Sequence, residues 1–219
     1  MSPVGRSTVL FDLDGTLIDS SADLAAALNH VLRTDGLAPF ERREVLAMVG
    51  DGAAALVAHG YRERGARPPD DALDRYRRHY ARHCLDHTRP YDGIPELLAR
   101  LAPGRTLAVV TNKPAAFAEQ VVAGLGLERW FAAVVGPEAA PRRKPSPEHV
   151  LAALAAVGRK PEEAIMVGDA PTDVAAGRGA ATATVAVTWG YRVREELEAA
   201  EPDHLVTSVA ELEEVLTAG

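Results

Sequence analysis

Five short apolar runs in this 219-residue chain each stop abruptly at polar residues, and stretches of helical period lie between them. Thr8–Phe11 closes in Asp12-Leu13-Asp14-Gly15, Thr106–Val110 in Thr111-Asn112, 130–135 in Gly136, 164–167 in Gly168-Asp169, and Ala183–Val187 in Thr188. Short β-prone runs bounded by turn-forming residues read as strands buried on both faces. Helical patterns at 114–123, 147–157 and 171–177 separate them. Strands alternating with helices specify an α/β fold, a doubly wound, Rossmann-like parallel sheet.

The alternation fails once. From Ser20 to about His87 the pattern is helical throughout, with candidate helices at 21–33, 41–49, 52–64 and 70–86. About 70 residues of helix placed after the first strand read as an inserted all-helical subdomain. The expected division is residues 1–17 with 89–219 as the α/β core and 18–88 as the insertion, hinged near 15–18 and 88–93. After 193 the pattern gives a helix, a short strand at His204–Val206, and a last helix from Ser208. Glu211 sits three residues after Ser208, as in a capping box. Alanine accounts for 40 residues and isoleucine for 3, so the helices are expected to pack closely.

The charge balance is 24 basic against 31 acidic residues, net −7, with no long basic stretch. Affinity for nucleic acid rests on neutralising phosphates, so a nucleic-acid-binding module is not expected. The single cysteine, Cys84, excludes an internal disulfide. No apolar run approaches the roughly 18 residues of a membrane span, and Met1 to Arg6 lacks the profile of an export signal. A cytoplasmic protein, monomer or homodimer, is expected. Arginine outnumbers lysine 21 to 3, which a GC-rich gene would produce, and this singles out Lys113, Lys144 and Lys160.

In a doubly wound sheet, ligands bind beyond the carboxyl ends of the strands. There this chain places Asp12 and Asp14, then Thr111, then Asp169 with Asp173 one helical turn on, while Lys144 comes from the loop before the helix at Pro147. Four carboxylates, a hydroxyl and an ammonium suit a hard divalent cation and a phosphoryl group. Mg²⁺ takes one or two carboxylates plus substrate phosphate and keeps several waters. Each piece alone also reads as an ordinary turn, cap or loop. Three strand-end motifs in this order, with a lysine between the second and third, carry the reading. Proline after Lys113 and after Lys144 biases each away from helix and starts a helix just beyond, near an anion-binding terminus. Lys160, beside Pro161, reads as a solvated surface residue.

Asp12-Leu13-Asp14-Gly15-Thr16-Leu17-Ile18-Asp19-Ser20 resembles the first motif of the haloacid dehalogenase-like phosphatases. Thr111-Asn112-Lys113, Lys144-Pro145 and Gly168-Asp169-Ala170-Pro171-Thr172-Asp173 resemble the other three. Val49-Gly50-Asp51-Gly52, His87-Thr88-Arg89-Pro90-Tyr91 and Thr188-Trp189-Gly190-Tyr191 are similar to the phosphoglycolate phosphatases within that superfamily. The resemblance implies a Mg²⁺-dependent phosphatase acting on a small phosphorylated metabolite, 2-phosphoglycolate, through an aspartyl-phosphate. Asp12 would be the nucleophile, since a carboxylate needs no prior deprotonation. Asp14 would protonate the leaving alkoxide and then activate water. Asp12, Asp169 and the backbone carbonyl of Asp14 would hold Mg²⁺, and Thr111, the amide of Asn112 and Lys144 would bind the phosphoryl oxygens. Asp173 would reach the metal's water layer or orient Lys144. Thr16, Gly50, Asp51, Gly52 and Lys113 are the candidate substrate contacts, Lys113 alternatively lining the rim. The helical insertion would be a mobile cap.

Alternatives stay open: another small phosphate ester (a sugar phosphate, a nucleoside monophosphate or pyrophosphate), a phosphosugar mutase, or a non-catalytic phosphate sensor. Asp14 disfavours dehalogenation, in which no leaving alcohol needs a proton. Ala170 replaces the serine or threonine usual in the family, and loss of that cap should cost about 1 kcal/mol. The glycines of Ala175-Ala176-Gly177-Arg178-Gly179 suggest a loose helix end. His79, His83 and His87 recur at every fourth residue beside Cys84, a spacing that suits Zn²⁺ or a solvated helix border, and Arg75, Arg78 and Arg82 nearby oppose a cation. Arg142-Arg143-Lys144 is assigned to the phosphate site. An ammonium is a compact point charge and a guanidinium a planar fork. Lys144→Arg is therefore expected to depress the rate of phosphate release well beyond what the conserved charge suggests, with Lys160→Arg unchanged in the same assay.

Overall fold

Thr8–Phe11 forms β1, and all four of its residues are buried, as in a strand covered on both faces. In the computed structural model, which describes residues 6–217, β1 lies in the middle of a six-stranded sheet. The chain continues through β2 (Ile18–Asp19), α1 (Ser21–Thr34), α2 (Arg42–Leu46), α3 (Gly52–Glu63), α4 (Ala72–His83), β3 (Arg89–Pro90) and α5 (Ile94–Leu101). It then follows β4 (Thr106–Val110), α6 (Ala115–Gly124), β5 (Ala133–Val135), α7 (Pro147–Ala156), β6 (Ala164–Gly168), α8 (Pro171–Gly179) and β7 (Ala183–Val187). α9 (Arg194–Ala199), β8 (His204–Val206) and α10 (Val209–Thr217) complete it. The sheet order is β5-β4-β1-β6-β7-β8 with every pairing parallel. Strand order therefore reverses at β1, and the carboxyl ends of β4, β1 and β6 lie side by side where such sheets bind ligands.

The chain forms two units, one of residues up to Ile18 with Pro90 onward and the other Asp19–Arg89. Each crossing falls one residue later than the sequence placed it, within the short strands β2 and β3. In the first unit, Leu10, Ala108, Val110 and Met166 of the sheet pack with Val150 and Leu154 of α7, Ala176 of α8 and Ala180 just past its end. A Cβ on Gly177 would come within 2.8 Å of Met166 Cβ and 2.9 Å of Thr184 Cγ2. Of the glycines read as a loose helix end, Gly177 instead lets α8 lie close on β6 and β7, Gly179 faces Pro147 of α7, and the helix continues to Gly179.

Other boundaries also differ from the periodicity. Glu128–Trp130 is a short 3-10 turn, so the third run becomes strand only at Ala133. α2 is five residues long, and α4 ends at His83, leaving Asp86 and His87 beyond it. α5 is absent from the alternation described above; Gly93 at φ 85° starts it, and Ile94, Leu97, Leu98 and Leu101 form its buried face. At α10, Ser208 Oγ accepts from the Glu211 N–H at 3.2 Å, but the Glu211 carboxylate accepts from Thr207 N–H and hydroxyl, which shifts half of the capping box by one residue. No helix among the described residues is long and apolar enough to cross a membrane. Of the Met1 to Arg6 stretch, only Arg6 lies within them.

In the helical unit, α1 packs on α2, α3 and α4. Leu28, Val31, Leu32, Leu56, Tyr61, Tyr76 and Tyr80 are buried there. Asp23, in the first turn of α1, is 2% exposed and accepts from His87 N–H, Thr88 N–H (2.8 Å) and the Thr88 hydroxyl (2.7 Å). One carboxylate thus satisfies the chain end of the insertion. Asp23→Ala leaves buried donors unpaired and is expected to lower stability by about 2–3 kcal/mol. The check is a lower denaturation midpoint at unchanged slope, partly restored in Asp23→Asn.

Candidate active site

The Asp12 N–H continues the β1 ladder by donating to Val167 O at 2.9 Å, which sets its carboxylate at the sheet's carboxyl edge. The chain then turns tightly, with Gly15 at φ 88° and its N–H donating to Ile18 O. A Cβ on Gly15 would clash with the Asp169 carboxylate, and one on Gly190 would clash with Asp169 from another loop. Only residues without side chains admit this close approach. Held between them, Asp169 accepts from the Thr16 hydroxyl at 3.2 Å and the Tyr191 N–H at 2.7 Å. Asp173, one turn into α8, accepts from the Ala170 N–H at 3.1 Å. That bond ties down the start of α8 where the hydroxyl is missing.

Lys144 is the hub. Its ammonium, on a residue 1% exposed, lies 2.8 Å from Asp12 Oδ1 and 2.7 Å from both Asp173 Oδ1 and Val110 O. The Asn112 side-chain amide donates to Lys144 O at 3.0 Å, and the Lys144 N–H faces His149 Nδ1 at 3.4 Å. Thr111 N–H donates to Val135 O, and the Thr111 hydroxyl accepts from Lys113 N–H. The Lys113 ammonium is 2.9 Å from both carboxylate oxygens of Asp14.

Asp12, Asp169 and Asp173 each offer an oxygen within 4.8 Å of the other two. Burial by itself would push Lys144 down, but Asp12 and Asp173 outweigh it and hold its ammonium at about 12. Burial pushes Asp169 up to about 8, and repulsion from Asp12 and Asp173 adds to the rise against the pull of the Tyr191 N–H and Thr16. Asp173 also rises, first by burial, although Lys144 draws it down. With all three carboxyls ionised, one ammonium would leave an excess of two negative charges, and the rise of Asp169 and Asp173 reflects that mismatch in part. Asp12 Oδ1 and Asp173 Oδ1 are buried without a well-angled hydrogen bond, even though Lys144 faces both. Hard oxygen donors with spare lone pairs and uncompensated charge fit a small divalent cation.

Two expected substrate contacts are instead engaged within the cluster. Thr16 is fully buried with its hydroxyl on Asp169 and its carbonyl accepting from Trp189 Nε1–H, and Lys113 is 6% exposed and pairs with Asp14 rather than lining a rim. Gly50, Asp51 and Gly52 belong to the helical unit at the turn into α3, with Gly50 and Gly52 at positive φ. Trp189, Gly190, Tyr191 and His149 had been given no role. The first three follow β7, so the strand-end rule that selected Asp12, Thr111 and Asp169 also covers them. His149 is fully buried, with Nε2 2.9 Å from Gly136 O. The histidine expectation changes too: His79 stacks between His30 and His83, whereas the His87 backbone turns to Asp23. Among the described residues, the three-aspartate group is the set able to hold a metal.

The model of the Haloacid dehalogenase-like hydrolase family matches residues 9–187. The chain belongs to that family. Among curated proteins, it is 38% identical to a phosphoglycolate phosphatase of Agrobacterium fabrum, covering 93% of this chain and 89% of that one. It is also 38% identical to an N-acetylmuramic acid 6-phosphate phosphatase of Pseudomonas aeruginosa, over 87% and 85%. A crystal structure from Haemophilus somnus, described as a predicted phosphoglycolate phosphatase, superposes with a TM-score of 0.90 at 27% identity, over 97% and 98% of the two chains. As a haloacid dehalogenase-like hydrolase, the protein presents Asp12, Thr111 and Asp169 at the carboxyl edge of its sheet.

A carboxyl that holds its proton more tightly folded than unfolded costs stability as pH rises from its ordinary 3.8 toward about 8. The metal-free protein is therefore expected to lose thermal stability across that interval, and Mg²⁺ to restore it on the alkaline side. Melting curves with and without Mg²⁺ from about pH 5 to about pH 9 test this. A midpoint indifferent to Mg²⁺ at the alkaline end would contradict the assignment.

Proposed function

We propose that the protein is a Mg²⁺-dependent, cytoplasmic phosphatase for a small phosphate monoester, with 2-phosphoglycolate as its substrate. The observation that carries this reading is the buried Lys144 ammonium between Asp12 and Asp173, with Asp169 adjoining. The relatives named phosphoglycolate phosphatase support the substrate.

In this reading Asp12 attacks phosphorus, an Asp12–phosphorus bond forms, and the ester oxygen leaves as its bond to phosphorus breaks. Asp14 gives that oxygen a proton and then takes one from the water that hydrolyses the acyl phosphate. Lys113 keeps the Asp14 carboxylate in place for both transfers. Lys144, Thr111 and the Asn112 amide take the phosphoryl oxygens, where fixed charge counts most in a water-poor site. Asp173 keeps the Lys144 ammonium aimed. Mg²⁺, bound by Asp12, Asp169 and the Asp14 carbonyl, would offset repulsion between the Asp12 carboxylate and the phosphate dianion. The helical unit acts as a cap that selects among esters, with Gly50, Asp51 and Gly52 at its recognising turn.

A sugar phosphate substrate is the second reading, because the N-acetylmuramic acid 6-phosphate phosphatase is as similar to this chain as the Agrobacterium enzyme. Phosphate release with Mg²⁺ is to be measured across 2-phosphoglycolate, N-acetylmuramic acid 6-phosphate, other sugar phosphates, nucleoside monophosphates and pyrophosphate. The highest kcat/KM is expected on 2-phosphoglycolate. Asp12→Asn should keep the fold and lose at least about 1,000-fold in kcat. Preference for a sugar phosphate would overturn the substrate, and full activity in Asp12→Asn would overturn the covalent route.

A further inference from the structure

Within the helical unit alone, a cavity of about 410 Å³ is lined by His30, Arg75, Arg78, His79, Arg82 and His83. Six cationic or protonatable groups line it and no carboxylate does, in a chain whose net charge is −7. α1 supplies His30, and α4 supplies the rest from positions three and four apart, which share a helix face. Arg75 is committed, pairing with both oxygens of Asp35 at 2.8 Å and reaching Asp71 at 3.1 Å. Arg78 and Arg82 have no carboxylate partner among the described residues. Both are exposed at the pocket, so their donors are open to an entering anion.

The three imidazoles form a stack, His30 on His79 at 4.0 Å and 14°, and His79 on His83 at 4.5 Å and 28°. Near-parallel rings do not aim their nitrogens at one point, and adjacent guanidinium groups repel a cation, so Zn²⁺ is a poor occupant. Burial, then His30 and His83, hold His79 below the usual histidine range, with Asp86 opposing.

We propose that this pocket binds an oligophosphate anion, either a free one such as pyrophosphate or the phosphate chain of a nucleotide, with Arg78 and Arg82 pairing its charges and His30, His79 and His83 donating N–H bonds. Cβ atoms four apart on a helix stand about 5–6 Å from each other, so two long side chains rooted there can reach neighbouring phosphates of one chain. Arginine's planar fork suits bidentate bonds to phosphate. The volume falls within the roughly 300–1,000 Å³ usual for small-ligand pockets. An incoming polyanion opposes the burial and the neighbouring imidazoles that hold His79 low, so its binding takes up a proton there and tightens as pH falls through neutrality. The charged and titratable groups around the pocket are His30 from α1 and Asp35 just beyond its end, Tyr61 from α3 through its bond to Asp35, Asp71 just before α4, Arg75, Arg78, Arg82 and His83 from α4, and Asp86 just beyond it, which pairs with His83 at 2.9 Å. None belongs to the carboxylate cluster, so the proposal stands apart from the phosphatase reading.

The test is an NMR titration of the imidazole C–H signals of the full chain without Mg²⁺, assigned with His30→Gln, His79→Gln and His83→Gln. Pyrophosphate, tripolyphosphate and ADP are added separately, with NaCl at matched ionic strength as the control. His79 is expected to respond to all three with an upward pKa shift, and affinity to be at least about 10-fold tighter at pH 6 than at pH 8. Arg78→Gln with Arg82→Gln should weaken binding at least about 10-fold at an unchanged melting temperature. Pyrophosphate binding as tightly as ADP identifies the free anion; tighter ADP identifies the nucleotide chain. His30, His79 and His83 responding no more than to NaCl, or His149 beside Lys144 responding while they do not, would overturn the proposal. So would full affinity in the double variant.

Discussion

Removing a charged group from water is costly unless an opposite charge and hydrogen bonds replace the lost solvation. Lys144 meets that condition through Asp12, Asp173 and the Val110 carbonyl, all within 2.8 Å. Those three partners come from the ends of β1 and β4 and from the first turn of α8. A sheet order that sets β4 and β6 on either side of β1 is what brings them together. The ammonium thereby ties the topology to the site. It also fails to complete the charge balance, because Asp169 adjoins the same spot. The excess is the local departure from stability expected where a ligand, rather than the protein, supplies the compensating charge.

Asp169 shows how that frustrated position is maintained. The bare backbones of Gly15 and Gly190 let their two loops close on it, while the Thr16 hydroxyl and Tyr191 N–H fix both of its oxygens. Trp189 bonds back to Thr16, so the loop after β7 braces the loop after β1. Each contact is ordinary in strength. Together they hold a carboxyl in surroundings that oppose its ionisation, and ready to ligate.

The strands were legible in the sequence because a strand buried on both faces must be apolar along its length and must stop where polar work begins. The strand-end residues followed from the same rule. Their pairings did not follow, since Lys113 meets Asp14 across 99 residues and Thr16 meets Asp169 across 153. A periodicity reports which face of a helix is buried, not where the helix stops, and so α4 ended at His83 and not at 86. Gly177 was misread for a related reason: helix propensity counts glycine as a weakness, whereas close packing against Met166 and Thr184 makes it a requirement. His30 escaped notice because only the pairing of α1 with α4 brings it to His79.

The choice between the two long cations follows the same physics. At Lys144, three acceptors converge on one point from which water is excluded, and an ammonium has three protons to offer. A guanidinium there would bring five donors in a rigid plane and leave some of them buried and unpaired. In the helical unit the situation is reversed. Arg78 and Arg82 line an open cavity, where unmet N–H groups are hydrated until a multidentate anion displaces the water. Lys144 and Lys113 are thus buried where the geometry is closed, whereas Arg78 and Arg82 are exposed, with donors that can adapt to an incoming partner.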